Sequence, residues 1–451
     1  MFRVSLFLLC FMLPQIFLGQ ATIPLGSSTA PSPAGPQGSQ SAPPTVANTT
    51  QRDRPAATQI TLDQAIAMAL ANSPSIKAAR TQIQQNQAQE VTANLRPNPV
   101  LSWDSQFIPI FSADFSADTL NNLQQFDIGL GYLFERGHKR QNRLEAARDQ
   151  TAVTAAQVAD TERTLVFNVA QQFINVLLAN STLQFALEDL RSFQETVNIS
   201  EQRYRAGDIS EGDYLKIKLQ LLQFQTDVSS ARVAKVQALG SLRQLVGYAS
   251  LPHDYDVAGD LAYLPLTSGL ADLQAKALAE RPDLLAAKKG VKAATSQISL
   301  AKADAKADVN ASASFSHVSG VSSTSLFFNV PLPLFNRNQG EIARTRFALT
   351  QAELTAKAAE DTVMTDVTNA YEAAASNQDV VQLYVSGYLK QAQDSRDISQ
   401  YAYKGGAATL LDFLDAERSY RSTQLAYRQA LAAYMLSLEQ LRQATGSRSL
   451  P

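Results

Sequence analysis

The chain has 451 residues, with 39 Lys and Arg against 41 Asp and Glu, so its formal net charge is −2. This near balance argues against a nucleic-acid partner, because such partners select for strongly basic surfaces. One cysteine and three histidines exclude a disulfide framework and leave little material for a metal centre or a catalytic triad.

The N-terminus predicts export. Arg3 precedes an apolar run from Val4 to Leu18, and small residues follow the run. A basic start, a short apolar core and small residues are typical of a secretory signal peptide, which we assign to residues 1–21 with cleavage after Ala21. An uncleaved membrane anchor is the alternative.

Two further features complete this N-terminal region. Cys10 follows Leu9, where a lipoprotein signal needs a small residue, so we do not expect acylation at Cys10. Residues 22–58 are rich in Pro and Ser and almost free of large apolar side chains. Such a segment cannot bury enough surface to offset its ordering entropy, which predicts an extended leader.

The rest of the chain contains an internal repeat. Leu242-Arg243-Gln244-x-x-Gly247 recurs as Leu441-Arg442-Gln443-x-x-Gly446. Ala69-Leu70-Ala71-Asn72-Ser73-Pro74 likewise recurs as Ala277-Leu278-Ala279-Glu280-Arg281-Pro282. We therefore predict a tandem duplication, with structural repeats at 59–247 and 268–446, a connector at 248–267 and a tail at 447–451.

In each repeat the sequence pattern predicts two short helices, two strands, one very long helix and a final helix. In the first repeat, the helices are expected at 62–71, 75–93, 138–205 and 211–246; in the second, the last two are expected at 339–404 and 410–445. A helix of about 66 residues is about 100 Å long at about 1.5 Å per residue. Such a rod needs helical partners of equal length, so the protein is expected to be mainly α with a small β part.

Four strands are predicted at about 99–111, 123–134, 308–317 and 323–333. Their alternation places apolar side chains on one face, and those that we expect to face lipid are Phe126, Ile128, Leu130, Tyr132, Leu326, Phe328 and Val330. Soluble hairpins packed on the helices are the alternative. Export, strand length and aromatic strand ends favour transmembrane strands instead. Four strands cannot close a barrel, and an open edge is unsatisfied in lipid, so the barrel must be shared between chains.

Two motifs resemble a known family. Leu62-Asp63-Gln64-Ala65-Ile66, leading to Ala69-Leu70-Ala71-Asn72-Ser73-Pro74, resembles the opening motif of TolC-like outer-membrane efflux proteins. The segment from Pro331 to Gly340, PLPLFNRNQG, is similar to the strand-to-helix motif of the heavy-metal branch, the CzcC-like and CusC-like proteins. The resemblance extends over about residues 60–446.

The resemblance implies a homotrimer with a 12-stranded transmembrane β-barrel, which a periplasmic α-helical barrel continues. It implies an outer-membrane location, a periplasmic adaptor protein and an inner-membrane pump, often of the resistance-nodulation-division type. It implies no cofactor and no bound metal. The chain departs from the family's lipoprotein members because it lacks an acylatable cysteine at the cleavage site, so anchoring would rest on the barrel.

The turns between long and short helices are expected at the end of the rods opposite the strands. In the family such tips contact the adaptor, which singles out Arg205, Gly207, Asp208, Lys404, Gly405 and Gly406. The alternative is a plain helix–helix turn in which glycine supplies positive φ. Both interpretations are compatible.

The resemblance also points to a periplasmic gate. Positions matching Asp412 and Asp415 form acidic rings in TolC-like channels, and positions matching Asp213 and Tyr403 help to hold the tip closed. Family members carry a basic residue at the position matching Ala408, so part of that lock is missing here. Helix capping is the simpler explanation for Asp213 and Asp412, because each lies three residues after a Ser or Thr.

These features predict a passive, gated efflux conduit driven by a separate pump, and they do not predict an enzyme. No G-x-x-x-x-G-K-[ST] segment for nucleotide binding occurs in the sequence. The exit channel of a type I protein secretion system is one alternative, and a soluble periplasmic coiled-coil scaffold or adaptor is another. The substrate, whether metal ion, drug or protein, depends on the partner pump.

Overall fold

The computed structural model describes residues 58–106, Ser116, Asp118 and 125–448. The predicted signal peptide, nearly all of the leader, the end of the first predicted strand and the last three residues lie outside this range. No helix within the described ranges combines the length and the hydropathy needed to cross a membrane.

The chain is mainly helical with a small β part, as predicted, and its two halves have the same order of elements. The first half contains β1 (Thr58–Ile60), α1 (Leu62–Asn72), α2 (Pro74–Asn94), β2 (Val100–Gln106), β3 (Gln125–Phe134), α3 (Lys139–Ala206) and α4 (Glu211–Val246). The second half contains β4 (Tyr255–Val257), α5 (Leu270–Glu280), α6 (Pro282–Asp304), β5 (Val309–Val318), β6 (Val321–Asn329), α7 (Gln339–Leu383), α8 (Leu389–Lys404) and α9 (Leu410–Thr445).

Local sequence signals explain most helix ends. Pro74 and Pro282 each begin a helix. At this first position the backbone N–H has no partner within the helix, so the N–H that proline lacks costs no hydrogen bond. Gly207 ends α3 with φ at 86°, a conformation that glycine adopts without steric cost. With no proline inside it, α3 continues for 68 residues, which corresponds to about 100 Å.

The predicted uninterrupted helix over 339–404 is wrong at one point. A π-helical turn at Tyr384–Tyr388 separates α7 from α8, and Gly387 in it has φ at 154°. The wide turn changes which residues face the neighbouring helices, because it adds a residue to the helical register. Sequence periodicity did not reveal this turn, since the residues on both sides are good helix formers.

Four strands form one antiparallel sheet in the order β2-β3-β5-β6. The register places Ile128 beside Trp103 on one neighbouring strand and beside Phe315 on the other. Leu326 likewise pairs with Ala313. Most apolar residues of the four strands therefore share one face, while the opposite face carries polar and small residues such as Asp127 and Ser316, together with Leu133 and Phe327.

The last predicted strand differs from the observed one at both ends. β6 begins at Val321, because Ser319 and Gly320 make a tight two-residue turn with positive φ. It ends at Asn329, so Val330 lies beyond the strand instead of within it. Pro331 and Pro333 explain the early end, since proline has no N–H to donate to a neighbouring strand.

A second, two-stranded sheet was not predicted. β1 pairs in parallel with β4, and Thr58 lies opposite Tyr255. Three residues are too few to show an alternating pattern, so the sequence carries no signal for this pairing. Ile60 and Val257 from this sheet are buried in the same cluster as Phe173 of α3.

The core consists of clusters placed along the helices. One cluster joins α1, α3 and α4 through Ile66, Val169 and Leu242. Another joins α5, α6, α7 and α9 through a set of buried aliphatic residues: Leu273, Leu284, Val363, Val367 and Leu441. Each long helix is thus packed along its length against shorter helices laid end to end.

Candidate functional site

The helix turns predicted to form tips lie side by side at the end of the helices away from the sheet. One turn joins α3 to α4 at Gly207, and the other joins α8 to α9 at Gly406, whose φ is 78°. Arg203 connects them, because its Nη1 donates to the carbonyl oxygen of Tyr403 at 2.7 Å. The two turns therefore form one compact end surface.

The residues predicted to contact an adaptor are accessible at this end. Arg205, Gly207, Asp208, Gly405 and Gly406 are exposed, and Lys404 is half-buried. Arg205 also pairs with Glu201 at 2.6 Å along the same helix. The accessible surface of the tip thus combines the backbone of three glycines with the charges of Asp208, Lys404 and the already paired Arg205.

Tyr403 lies behind this surface and is buried, with 4% of its surface exposed. Its ring stacks on Phe413 at a centroid distance of 5.4 Å, and the Arg203 guanidinium lies over its other side. Its hydroxyl is 3.5 Å from Ser200 Oγ. Within one chain the structure does not bring Tyr403 to Asp213, so the predicted contact between them is not made inside the subunit.

Asp213 is held locally at the start of α4. Ser210 Oγ accepts from the Asp213 N–H at 3.1 Å and donates to its Oδ2 at 2.9 Å. Lys216 lies 3.3 Å from the other carboxylate oxygen. The hydrogen bond from Ser210, with help from Lys216, lowers the pKa of Asp213. Ser210 is thus the cap of α4, and the ionised Asp213 supports it through the Ser210 hydroxyl without a bond to the Ser210 backbone N–H.

Asp412 plays the same part at the start of α9, while Asp415 does not. Thr409 Oγ1 donates to Asp412 Oδ2 at 2.6 Å, and the Asp412 N–H donates to Thr409 Oγ1 at 3.2 Å. The Thr409 hydroxyl, together with the Thr409 N–H that also donates to Asp412 Oδ2 at 3.2 Å, lowers the pKa of Asp412. Asp415 is exposed one turn further along. Two carboxylates thus stand near the tip, one fixed by a cap and one at the surface.

A layer of stacked aromatic rings supports the tip from behind. Phe193 of α3 stacks on Phe224 of α4 at 4.3 Å with an interplanar angle of 16°. It also lies parallel to Phe413 of α9 at 6.3 Å. This layer packs the helices of the first turn, α3 and α4, against α9 of the second.

Beyond that layer lies a buried group of charges that sequence reasoning missed. Asp189 of α3 is 4% exposed, and Arg421 Nε of α9 lies 2.6 Å from its Oδ2. Arg421 also contacts Asp227 of α4. Glu417, 5% exposed, lies one turn before Arg421. A carboxylate between Phe185 and Phe193, on the apolar side of α3, was the available signal.

Glu417 has the most perturbed acidity of this group. Burial, together with the neighbouring carboxylate of Asp189, raises the pKa of Glu417 to about 7. Arg396 and Arg421 oppose that rise, and they do not cancel it. Burial also raises the pKa of Tyr420 and lowers that of Arg428 nearby.

At the other end of the helices, the sheet exposes its apolar face. Trp103, Leu130, Leu326 and Phe328 are 74%, 55%, 70% and 74% exposed. Phe126, Ile128 and Phe315 on the same face are also exposed. β2 and β6 each have a partner strand on one side only within the described residues. Apolar exposure of this extent calls for lipid or protein to cover it.

The described ranges hold no group of three or more His, Asp or Glu residues close enough together to bind a metal ion. The two surfaces that match the predicted functional residues are the tip with its carboxylates and the exposed apolar face of the sheet.

Comparison with known proteins agrees with this geometry. A family model described as outer membrane efflux protein matches residues 65–248 and 273–447. The cation efflux system protein CusC of Escherichia coli (strain K12) is 25% identical over 376 residues, covering 80% of each chain. The cobalt-zinc-cadmium resistance protein CzcC of Cupriavidus metallidurans is 24% identical over 382 residues, covering 83% of this chain and 87% of its own.

The fold also matches a solved structure. Crystal structures of CusC superpose with a TM-score of 0.72 at 21% identity, covering 87% of this chain and 93% of the other. The strands and the long helices thus have counterparts in the fold of a transmembrane channel protein.

Proposed function

This chain belongs to the outer membrane efflux protein family, and we propose that it is the outer-membrane channel subunit of a tripartite efflux system. Members of the family are efflux channels of the outer membrane and not enzymes. The observation that carries the proposal is the four-stranded sheet with one exposed apolar face, joined directly to helices about 100 Å long. A location in the outer membrane argues against the soluble periplasmic scaffold considered above.

The channel would be a homotrimer. Four strands per chain cannot close a barrel, whereas three copies supply twelve. The open edges of β2 and β6 would then pair between neighbouring subunits, which satisfies their backbone groups in lipid. Five of the seven residues predicted to face lipid are exposed on one face: Phe126, Ile128, Leu130, Leu326 and Phe328. Tyr132 is half-buried on that face, and Val330 lies beyond the end of β6.

Exposed apolar stripes on the helices support the same assembly. Leu215, Leu219 and Leu222 lie on one side of α4 and are 50%, 69% and 60% exposed. Ile398 and Tyr401 of α8 are similarly uncovered. Neighbouring subunits would cover these stripes and form the periplasmic α-helical barrel, because apolar surface of this extent favours burial.

The tip surface would receive the periplasmic adaptor, and through it the inner-membrane pump. Arg205, Asp208 and the glycines of both turns supply an accessible surface there. Three copies of Asp412 and Asp415 would form acidic rings at the constriction, which favour cations and repel anions. A Tyr403–Asp213 contact would have to form between subunits, and the burial of Tyr403 against Phe413 weighs against it.

Metal cations are the first cargo to test. The names of two relatives refer to cation efflux and to cobalt, zinc and cadmium resistance. Acidic rings at the constriction would suit cations. Among residues 58–106 and 125–448, no feature favours the protein-secretion alternative over efflux.

Disulfide crosslinking between subunits tests the proposal. Cys10 is the only natural cysteine, so Ser102→Cys in β2 with Ser325→Cys in β6 introduces a defined pair. Oxidised outer membranes should contain covalent trimers, and moving the second cysteine through Ser323 and Phe327 allows for the register. Either single variant is the control. Recovery of only monomers at every register, in protein that also forms no pores in planar bilayers, would contradict the proposal.

A further inference from the structure

A cleft of about 250 Å³ lies at the helix-proximal end of β3. It is lined by Arg96, by the end of β3 with Tyr132 and Phe134, and by the first turn of α3 with Lys139 and Arg140. The cleft thus lies where the apolar sheet meets the helices. At about 30 Å³ per water molecule, its volume equals about eight waters, which suits a small polar group.

The charges in the cleft do not balance. Lys139 Nζ is paired with Asp308 at 2.7 Å, and Glu135 is paired with Arg143 at 2.7 Å. Arg96 and Arg140 have no carboxylate within 4 Å among the described residues. Two positive charges are therefore available to a ligand, since Asp308 and Glu135 are already paired and the third nearby carboxylate, Asp304, interacts with Lys139 and Arg143. Guanidinium groups hold phosphate oxygens well, because their donors form a planar fork.

The aromatic residues of the cleft connect it to the apolar face. Tyr132 and Phe134 alternate with Leu133, so they lie on the same face as Leu130. Their rings contact each other edge to face at 4.8 Å. A ligand in the cleft would therefore have arginines at its polar end and the exposed apolar face at its other end.

We propose that Arg96 and Arg140 bind the phosphate of an anionic glycerophospholipid in the periplasmic leaflet of the outer membrane. The acyl chains would continue along Leu130 and Ile128. This inference rests on the proposed placement of the sheet in the membrane. The shared chemistry is phosphate, and the neighbouring apolar face argues for a lipid headgroup as its source in place of free phosphate.

The second repeat has a cleft of about 580 Å³ at the equivalent position, lined by Asp304, Phe335 and Asn336 among others, and its charges differ. Asn338 starts α7 with φ at 59°, as His138 starts α3 with φ at 61°, so the position equivalent to Arg140 is Gly340. The repeat motif that places Pro74 opposite Pro282 places Asp304 opposite Arg96. An arginine pair therefore exists in one repeat only, and each subunit should bind one lipid at this position.

The test is lipid binding to the full-length assembly, purified and delipidated in detergent. Dihexanoyl phosphatidylglycerol is titrated below its micelle concentration, beside dihexanoyl phosphatidylcholine and inorganic phosphate. Wild type should bind one phosphatidylglycerol per chain more tightly than either other probe. Arg96→Gln with Arg140→Gln should weaken that binding by about tenfold or more, because two charge-assisted hydrogen-bond donors are lost.

Arg136→Gln is the matched control, because Arg136 is exposed near the same end of β3 and does not line the cleft. Unchanged binding by Arg136→Gln supports a site, whereas an equal loss would reduce the effect to general surface charge and overturn the proposal. Equally tight binding of phosphatidylcholine or of free phosphate would overturn it as well. Size-exclusion chromatography and bilayer conductance are measured on the same samples. Failure of the channel proposal would appear as wild-type protein without trimers or pores, whereas failure of the lipid proposal alone would leave both intact.

Discussion

Arg421 Nε lies 2.6 Å from Asp189 Oδ2, in a buried ion pair that joins α9 to α3 just behind the tip. Arg421 reaches Asp227 of α4 as well, and its guanidinium lies 4.1 Å from the ring centroid of Phe224. One side chain thus ties together three helices from both halves of the chain. The helices that carry the tip are therefore coupled through a charge that is expensive to leave without its partner.

Replacing Arg421 should be strongly destabilising. Arg421→Gln leaves Asp189 buried without its counter-ion, which costs about 3–5 kcal/mol in buried pairs. We expect a lower midpoint in thermal unfolding of the detergent-solubilised protein, followed by circular dichroism. Arg344→Gln is the control, because its pair with Glu341 is at the surface and should matter much less. Equal midpoints for Arg421→Gln and wild type would contradict the assigned role.

The stability of the protein should depend on pH through Glu417. Its pKa of about 7 in the folded chain is above the value of 4.5 for an unperturbed glutamate. Protonation therefore contributes stability that is complete below about pH 4.5 and is lost as pH rises through about 7. Glu417→Gln, which remains neutral, should remove this loss, worth at most about 3 kcal/mol.

The measurement is the unfolding midpoint of wild type and Glu417→Gln between pH 5 and pH 8. The difference between them should grow in favour of the variant as pH rises. Glu341→Gln, at an exposed carboxylate whose pKa is lowered by Arg344, provides the comparison. Parallel pH profiles for wild type and Glu417→Gln would show that Glu417 does not titrate in this range.

The acidic gate can be separated from helix capping by the choice of substitution. Asp412→Ala would remove the two bonds that the Asp412 carboxylate accepts from Thr409 and disturb the start of α9, whereas Asp412→Asn keeps an acceptor for the cap. We expect Asp412→Asn with Asp415→Asn to weaken the block of single-channel current by multivalent cations. Asp213→Asn, which alters a capping carboxylate at the other turn, is the matched variant. Unchanged block in the double variant would exclude the gate.

The lipid-facing assignment of β3 predicts intolerance to charge on one face only. Ile128→Lys with Leu130→Lys should abolish assembly in the outer membrane, since a lipid-facing lysine costs about 2–4 kcal/mol near the bilayer midplane. Ser316→Lys, on the opposite face beside Asp127, should assemble normally. Heat-resistant trimers in gel electrophoresis of outer membranes provide the readout. Normal assembly of the double lysine variant would count against the transmembrane sheet.

Much of the architecture was predictable because its causes are local. The helix end at Gly207, the turn at Gly406, the caps at Ser210 and Thr409, and the alternation along β3 all depend on residues within a few positions of each other. The predicted range of 211–246 for the helix after the first tip agrees with the structure. Period-two alternation likewise identified the apolar face before any strand pairing was known.

What only the tertiary structure decided are contacts between residues far apart in the chain. The pairing of Asp189 with Arg421, the position of Tyr403 under Ser200 and the cleft between Arg96 and Arg140 depend on how long helices lie against one another. A helical pattern states which residues share a face, and it does not state which face of a distant helix will meet them. Because rods of this length can pack in many registers, only the three-dimensional arrangement selects the partners.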